Sequence, residues 1–308
     1  MALRLPFKRS TPKKRHINSK DFISLLEGYS IEVMPRTAAK ITNFESIVPN
    51  NTNIYIAHLE GTPISDMLQT ASTIKKAGFP VVPHFPARII KDKATLENWI
   101  SRYSSIGIDK ALVLAGSSKK PIGEFSNSME LLDTGLFEKY GFTEIFCAGH
   151  PEGNKDIDVN GSDKNLFEAL RWKQDFSRKT NIRLSITTQF CFEIKPIIEW
   201  EKKLSKAKID LPINIGIAGP AKLQTMIKYA LLCGVGPSIR VLEKRAKDLT
   251  QLILPYTPGN FLEEIVAYKI LNQESNINFL HFFPLGGITN TTDYINKTKL
   301  QNSVLNAQ

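Results

Sequence analysis

The sequence is poor in cysteine and contains no long hydrophobic run. Its three cysteines, Cys147, Cys191 and Cys233, lie far apart and form no CxxC pair. A disulfide framework or a cysteine-based zinc site is therefore not expected, and a reducing compartment fits this composition. No apolar stretch is long enough to span a bilayer, and the N-terminal segment has no apolar core of secretory length. We expect a cytoplasmic protein without a membrane anchor.

The first 20 residues contain no acidic residue and carry most of the positive charge. The formal net charge of the chain is +10, and seven lysines and arginines before residue 21 account for +7 of it. Residues 1–20 are interpreted as a basic, solvated and disordered arm. The alternative is that the arm attracts nucleic acid through its positive charge. Because Phe7 is the only aromatic residue in the arm, base stacking has little support.

Several ligand-binding motifs are absent. The chain has no GxxxxGK[ST] phosphate loop and no HExxH zinc motif. The stretch "CGVGPSI" begins like a dinucleotide fingerprint, but Ile239 stands where the third glycine belongs, and no strand comes directly before it. The sequence therefore gives no motif for nucleotide-phosphate binding or for a zinc protease.

Short segments rich in β-branched and aromatic residues alternate with stretches of helical spacing. Eight such segments are predicted as strands: 29–34, 53–59, 79–85, 110–116, 144–149, 182–190, 212–219 and 277–283. The stretches 65–78, 94–107, 127–141, 164–179 and 222–234 are predicted as helices. Eight βα units in one chain predict a (β/α)8 TIM barrel, with an open doubly wound sheet as the alternative.

The single barrel domain is expected to cover residues 21–308. The long gap before the eighth strand contains two further helical patterns, 238–254 and 259–272. They are interpreted as extra helices inserted before the last strand.

An acidic residue interrupts the first predicted strand. In "GYSIEVMPRT", Glu32 lies between Ile31 and Val33. An unpaired buried charge is costly, so Glu32 must be paired, protonated, exposed at the strand end, or functional. A structural ion pair with Arg36 and a role in catalysis are both open at this point.

Other polar residues follow the predicted strands, where barrel enzymes build their sites. His58, His84, His150 and His281 all lie in or just after strands, and Gln189 ends the sixth. No cluster of acidic residues accompanies them, so a metal site is not expected. Each residue alone also fits a structural role. Four histidines in equivalent places favour a pocket.

Four segments together resemble the methylenetetrahydrofolate reductase family: "SIEVMPRT", "AGHPEG", "TTQF" and "LHFFPLGG". The similarity runs from about residue 29 to 295. It implies a (β/α)8 barrel that binds FAD noncovalently, takes electrons from NADH or NADPH, and uses a folate substrate. The implied reaction interconverts 5,10-methylenetetrahydrofolate and 5-methyltetrahydrofolate through hydride transfer at flavin N5. A homo-oligomer or a companion subunit is also expected.

The resemblance also implies roles for individual residues. Glu32 matches the catalytic glutamate that protonates N10 of the folate, and an apolar strand is expected to raise its pKa by desolvation. Gln189 and Phe283 match substrate-binding positions. The matches to cofactor-binding positions are His84, Leu114, Ala115, Gly116, Ser117, Ala148, His150, Glu152, Arg171 and Lys173.

The sequence departs from the family pattern at Ser117, where familiar members carry aspartate. Loss of that charge is expected to make a bound flavin easier to reduce, and it leaves the electron donor and the direction of the reaction open. Two alternatives from other classes also stand. One is a barrel that binds folate or flavin without redox turnover, as a partner subunit. The other is a nucleic-acid-binding protein acting through its basic arm.

Overall fold

Eight parallel strands close into a barrel in the order of the sequence, as the predicted (β/α)8 fold requires. A computed structural model describes residues 19–233, 242 and 255–305. Residues 1–18 of the predicted basic arm and nearly all of the predicted helix 238–254 lie outside the described residues. The first described helix begins at Ser19, within the last two residues of the predicted arm.

The strands agree with the eight predicted segments to within three residues. They are β1 Ser30–Val33, β2 Ile54–Ile56, β3 Val81–Pro86, β4 Lys110–Leu114, β5 Glu144–Gly149, β6 Arg183–Cys191, β7 Ile213–Ala218 and β8 Ile277–Phe283. Strand β1 closes the barrel by pairing with β8, and Ser30 lies opposite His281 in that register.

The helices of the described residues pack outside the barrel. They are α1 Ser19–Leu25, α2 Pro35–Ala38, α3 Ile64–Lys76, α4 Lys93–Ser105, α5 Ser128–Asp133, α6 Leu136–Lys139, α7 Lys164–Lys179, α8 Ile194–Lys206, α9 Leu223–Cys233, α10 Gly259–Leu271 and α11 Ile288–Leu305. Helix α10 confirms the extra helix predicted at 259–272. No helix among the described residues has the length and apolar character needed to cross a membrane.

One predicted helix is divided in two. The stretch 127–141 forms α5 and α6, and Gly135 between them adopts a φ of 70°. This left-handed conformation suits glycine and ends the first helical segment. Helices α1, α2, α8 and α11 were not among the predicted stretches.

Side-chain alternation along the strands separates two apolar layers. Ile31, Val33 and Phe85 belong to the large core between the sheet and the helices. Tyr55 of β2, with one side chain from each of β3, β4 and β5, forms a smaller core inside the barrel. Because successive side chains point to opposite faces, Ser30 and Glu32 of β1 must point into the barrel.

Candidate active site

A carboxylate and two imidazoles meet at the carboxyl-terminal end of the barrel interior. Oε2 of Glu32 lies 3.5 Å from Nε2 of His84 and 3.9 Å from Nε2 of His281. The Glu32 side chain keeps 21% of its surface exposed, whereas His281 keeps 1%. The three residues come from β1, β3 and β8. We call Glu32, His84 and His281 the mouth cluster.

The mouth cluster answers one question that the sequence left open. Among the described residues Glu32 forms no ion pair with Arg36. The titratable side chains within 4 Å of its carboxylate are the two histidines. The buried Nε2 atoms of both histidines make no hydrogen bond within the described residues. Buried polar atoms without a hydrogen-bond partner are uncommon in proteins, and at such a site they are candidates for contact with a ligand.

The pKa of Glu32 moves in the direction opposite to the expected one. Burial is the largest single influence and favours the protonated acid, but His281 and then His84 together outweigh it and lower the pKa. Burial and the neighbouring histidine charges set the pKa of His84 at about 4 despite the attraction of Glu32. The resting cluster at neutral pH therefore contains an ionised Glu32 and a neutral His84.

His281 is fixed in place from several sides. Its Nδ1 shares a hydrogen bond of 2.8 Å with the hydroxyl of Ser30, its register partner on β1. The ring of Tyr55 lies 4.4 Å from the imidazole, centroid to centroid, and the ring of Phe283 lies 4.7 Å away. These contacts direct Nε2 toward Glu32. They also bring the predicted substrate residue Phe283 next to the mouth cluster.

Gln189 lies on an irregular part of β6. The register between β6 and β7 shifts between Thr187 and Phe190, and the hydroxyl of Thr188 accepts a hydrogen bond of 2.8 Å from the backbone N–H of Gly216. A Cβ at Gly216 would lie only 2.5 Å from the carbonyl oxygen of Thr188, so the bulge needs glycine beside it. Bulges often redirect a side chain beside a functional site. The sequence alone did not predict this bulge.

The loop after β4 is held by an arginine of the preceding unit. The backbone N–H of Arg88 donates to the carbonyl of Ala115 at 2.9 Å, and its guanidinium donates to the carbonyl of Ser118 and to Asp156. Gly116 adopts a φ of 94°, and a Cβ there would lie 3.1 Å from Pro86. Ser117 is exposed and Leu114 packs on the interior core. Arg88, which sequence reasoning missed, thus joins the loops after β3, β4 and β5.

The loop after β5 forms a tight turn. The backbone N–H of Gly153 donates to the carbonyl of His150 at 3.0 Å, and Gly153 has a φ of 77°. Glu152 is partly buried in this turn, and Ala148 lies just before it on β5. The loop therefore holds its predicted cofactor residues in one compact segment.

The two predicted basic residues of α7 differ in environment. Lys173 is 6% exposed, and its charge, together with burial, lowers the pKa of His150 to about 4. Arg171 is exposed to solvent. The structure therefore brings Lys173, but not Arg171, close to the β5 unit.

The four strand-associated histidines do not form one group. His58 turns away, with its Nε2 at 3.0 Å from the carbonyl oxygen of Thr62 and its ring 5.0 Å from that of Trp99. His150 lies beside Lys173 rather than in the mouth cluster. Within residues 19–233 and 255–305, no three histidine, cysteine or carboxylate side chains are grouped to hold a metal ion.

No family model matches the chain. The resemblance to methylenetetrahydrofolate reductases therefore stays a prediction based on the four quoted segments.

Proposed function

We propose that the protein is a flavin-dependent oxidoreductase that interconverts 5,10-methylenetetrahydrofolate and 5-methyltetrahydrofolate. One observation carries the proposal: the carboxylate of Glu32 lies at the mouth of the barrel between two imidazoles whose Nε2 atoms have no hydrogen-bond partner in the part of the chain that the structure describes. The carboxyl-terminal mouth is where (β/α)8 enzymes carry out their chemistry. A buried ionisable group with nearby titratable partners is typical of an acid–base site.

The residues around the mouth fit FAD. Nε2 of His84, which has no hydrogen-bond partner among the described residues, would offer a polar contact to the flavin ring, and the glycine at position 116 lets the loop after β4 pack closely against Pro86. Lys173, buried near His150, would supply positive charge for the cofactor phosphates. When bound, FAD would supply the hydride carrier that the amino acids themselves lack.

Glu32 is proposed to move the proton at N10 of the folate. In the direction of 5-methyltetrahydrofolate oxidation, its ionised form accepts the proton that N10 loses as the five-membered ring closes. In the reductive direction, the same carboxyl must be protonated before it can donate to N10. The lowered pKa of Glu32 favours its work as a base in the resting protein. Besides Nε2 of His84, Nε2 of His281 also faces this carboxylate.

Gln189 and Phe283 are proposed to orient the pterin. An amide offers both a donor and an acceptor to the edge of a pterin ring. The ring of Phe283 packs at 5.5 Å from that of Phe190, centroid to centroid, and presents an aromatic wall beside His281. Together they would exclude water from the face of the substrate that reacts.

The purified protein, supplied with FAD, should show a flavin absorption spectrum after removal of free cofactor. Anaerobic mixing with 5-methyltetrahydrofolate, NADH or NADPH should then bleach it. A protein that retains no FAD would contradict the proposal. One that retains FAD but is bleached by none of the three reductants would favour the non-redox binding barrel instead.

A further inference from the structure

A cavity opens at the opposite end of the barrel from the mouth cluster. It has a volume of about 460 Å³ and is lined by residues at the beginnings of the strands, including Ser30, Glu144 and Arg183. From Glu144 to Gly149 at the other end of β5, the strand rises by about 16 Å. We call this space the floor cavity. Its volume falls within the range typical of small-molecule sites.

Arg183, an exposed residue at the rim of the floor cavity, is the lining cation that has no ion-pair partner among the described residues. Glu144 is the register partner of Arg183 on β5, but its carboxylate binds Nζ of Lys110 at 2.8 Å. Arg178 is engaged by Asp210 at 3.4 Å. Among the described residues, no carboxylate lies within ion-pair distance of the Arg183 guanidinium. Its planar fork of donors is suited to a carboxylate ligand.

The rest of the lining offers an apolar surface and amide groups. The side chain of Phe279 is 47% exposed at the entrance, and Phe146 and Tyr55 close the inner end. Asn214 is 5% exposed and lines the same space. A ligand here would therefore meet aromatic surface on its body and a guanidinium at its charged end.

We propose that the floor cavity is a binding site for a small organic anion with a planar apolar body, held by Arg183 through its carboxylate. Arg183 lies at the start of β6, far from the mouth, although Ser30 and Tyr55 at the inner end of the cavity also contact His281 of the mouth cluster. The proposal does not depend on flavin or folate chemistry. The proposed site lies at the amino-terminal ends of the strands. Neither the sequence motifs nor the proposed reaction involves a ligand at this end of the barrel.

Binding of 4-fluorobenzoate, followed by fluorine NMR of the full-length protein without added cofactor, tests this proposal. We expect saturable binding with a Kd of about 1 mM or tighter. The neutral analogue 4-fluorobenzamide should bind at least about tenfold more weakly, because it lacks the charge that Arg183 recognises. Because both ligands are measured on the wild-type protein, this comparison does not depend on any effect of a mutation on folding.

Three variants then locate the site. Arg183→Gln should weaken 4-fluorobenzoate binding by about tenfold or more. Arg102→Gln, a change at an exposed arginine of α4, should leave it unchanged. Gln189→Ala, at the mouth, should also leave it unchanged. The proposal is overturned by any of three results: no saturable binding, equal binding of the acid and the amide, or a loss in Gln189→Ala rather than in Arg183→Gln.

Discussion

Glu32 and His84 face each other across β2, with 3.5 Å between Oε2 of the carboxylate and Nε2 of the imidazole. The side chain between them in strand order is Tyr55, whose ring meets that of His84 edge-on at 6.2 Å. The pKa of His84, at about 4, keeps the imidazole neutral at neutral pH, so the pair carries the single negative charge of Glu32. The barrel thus holds a partly buried base whose charge is available to a ligand at the mouth.

Replacing His281 should raise the pKa of Glu32. Burial favours the protonated carboxyl, and His281 is the first of the groups that oppose burial, so its loss leaves the burial effect less opposed. In His281→Asn, titration of the carboxyl carbon of Glu32 by ¹³C NMR should show a midpoint higher than in the wild type. The signal can be assigned by its loss in Glu32→Gln.

His58→Asn is the matched control for this titration. His58 binds the carbonyl oxygen of Thr62 and makes no ion-pair contact with Glu32 among the described residues. Replacement of His58 should leave the titration midpoint of the Glu32 carboxyl equal to that of the wild type. A midpoint that is the same in His281→Asn and the wild type would show that His281 does not stabilise the carboxylate.

His150 should make the protein less stable in acid. Burial, and then the charge of Lys173, lowers its folded pKa to about 4, below the ordinary value of 6.5. The unfolded chain therefore takes up a proton first, and the stability that neutral His150 provides is complete above pH 6.5 and declines as the pH falls toward 4. The loss over this window is at most about 3 kcal/mol, since one pKa difference of this size sets the limit.

Urea unfolding at a series of pH values measures this effect. The free energy of unfolding should fall less steeply between pH 6.5 and 4 in His150→Asn than in the wild type. At pH 8, His150 is neutral in both the folded and the unfolded wild-type protein. Measurements at this pH therefore give the baseline difference in the free energy of unfolding between the two proteins. Equal pH slopes would contradict the account of His150.

Glu201 should contribute strongly to the stability of the barrel. It is 5% exposed on α8 and accepts hydrogen bonds from the hydroxyl of Tyr268 at 2.7 Å, the hydroxyl of Ser275 at 2.7 Å and the backbone N–H of Asn276 at 2.8 Å. Glu201→Ala leaves these donors without their acceptor and should lower the free energy of unfolding by about 2 kcal/mol or more. Glu199→Ala, at an exposed position of the same helix, should change it by less than about 0.5 kcal/mol. Similar losses in both variants would contradict this role.

The fold was predictable because its signals are local and repeated. Each strand is a short apolar segment such as that around Ile145, and each of the helices α3, α4 and α7 has a regular apolar face. The division between α5 and α6 was missed because the helical spacing continues through Gly135, and only its φ of 70° interrupts the helix.

The candidate site was predictable only in part. Strand alternation places Glu32, His84 and Phe283 on the inner face, so their proximity follows from barrel closure. The lowered pKa of Glu32 could not be predicted, because it depends on distances to histidines 52 and 249 residues away in the sequence. Arg88 was missed for the same reason: its partners Ser118 and Asp156 lie in other loops.

In the proposed flavin complex, Ser117 should raise the reduction potential of the flavin relative to an aspartate at the same position. A nearby negative charge disfavours reduced, anionic flavin, and Ser117 is neutral and exposed. In a potentiometric titration, Ser117→Asp should have a midpoint lower than the wild type by an amount on the order of tens of millivolts. Ser117→Asn, which is similar in size but neutral, should stay close to the wild type. An equal or higher midpoint in Ser117→Asp would reject this explanation.

The most direct test of the proposed chemistry is a pair of anaerobic half-reactions measured on Glu32→Gln and the wild type, each loaded with FAD. Reduction of the flavin by NADH or NADPH should be nearly unchanged in the variant, while the folate half-reaction should slow by a factor of about 10² to 10⁴. Glu45→Gln, at an exposed position, should leave both half-reactions unchanged. If the two half-reactions of Glu32→Gln slow equally, or if the folate half-reaction does not slow at all, Glu32 does not transfer the proton.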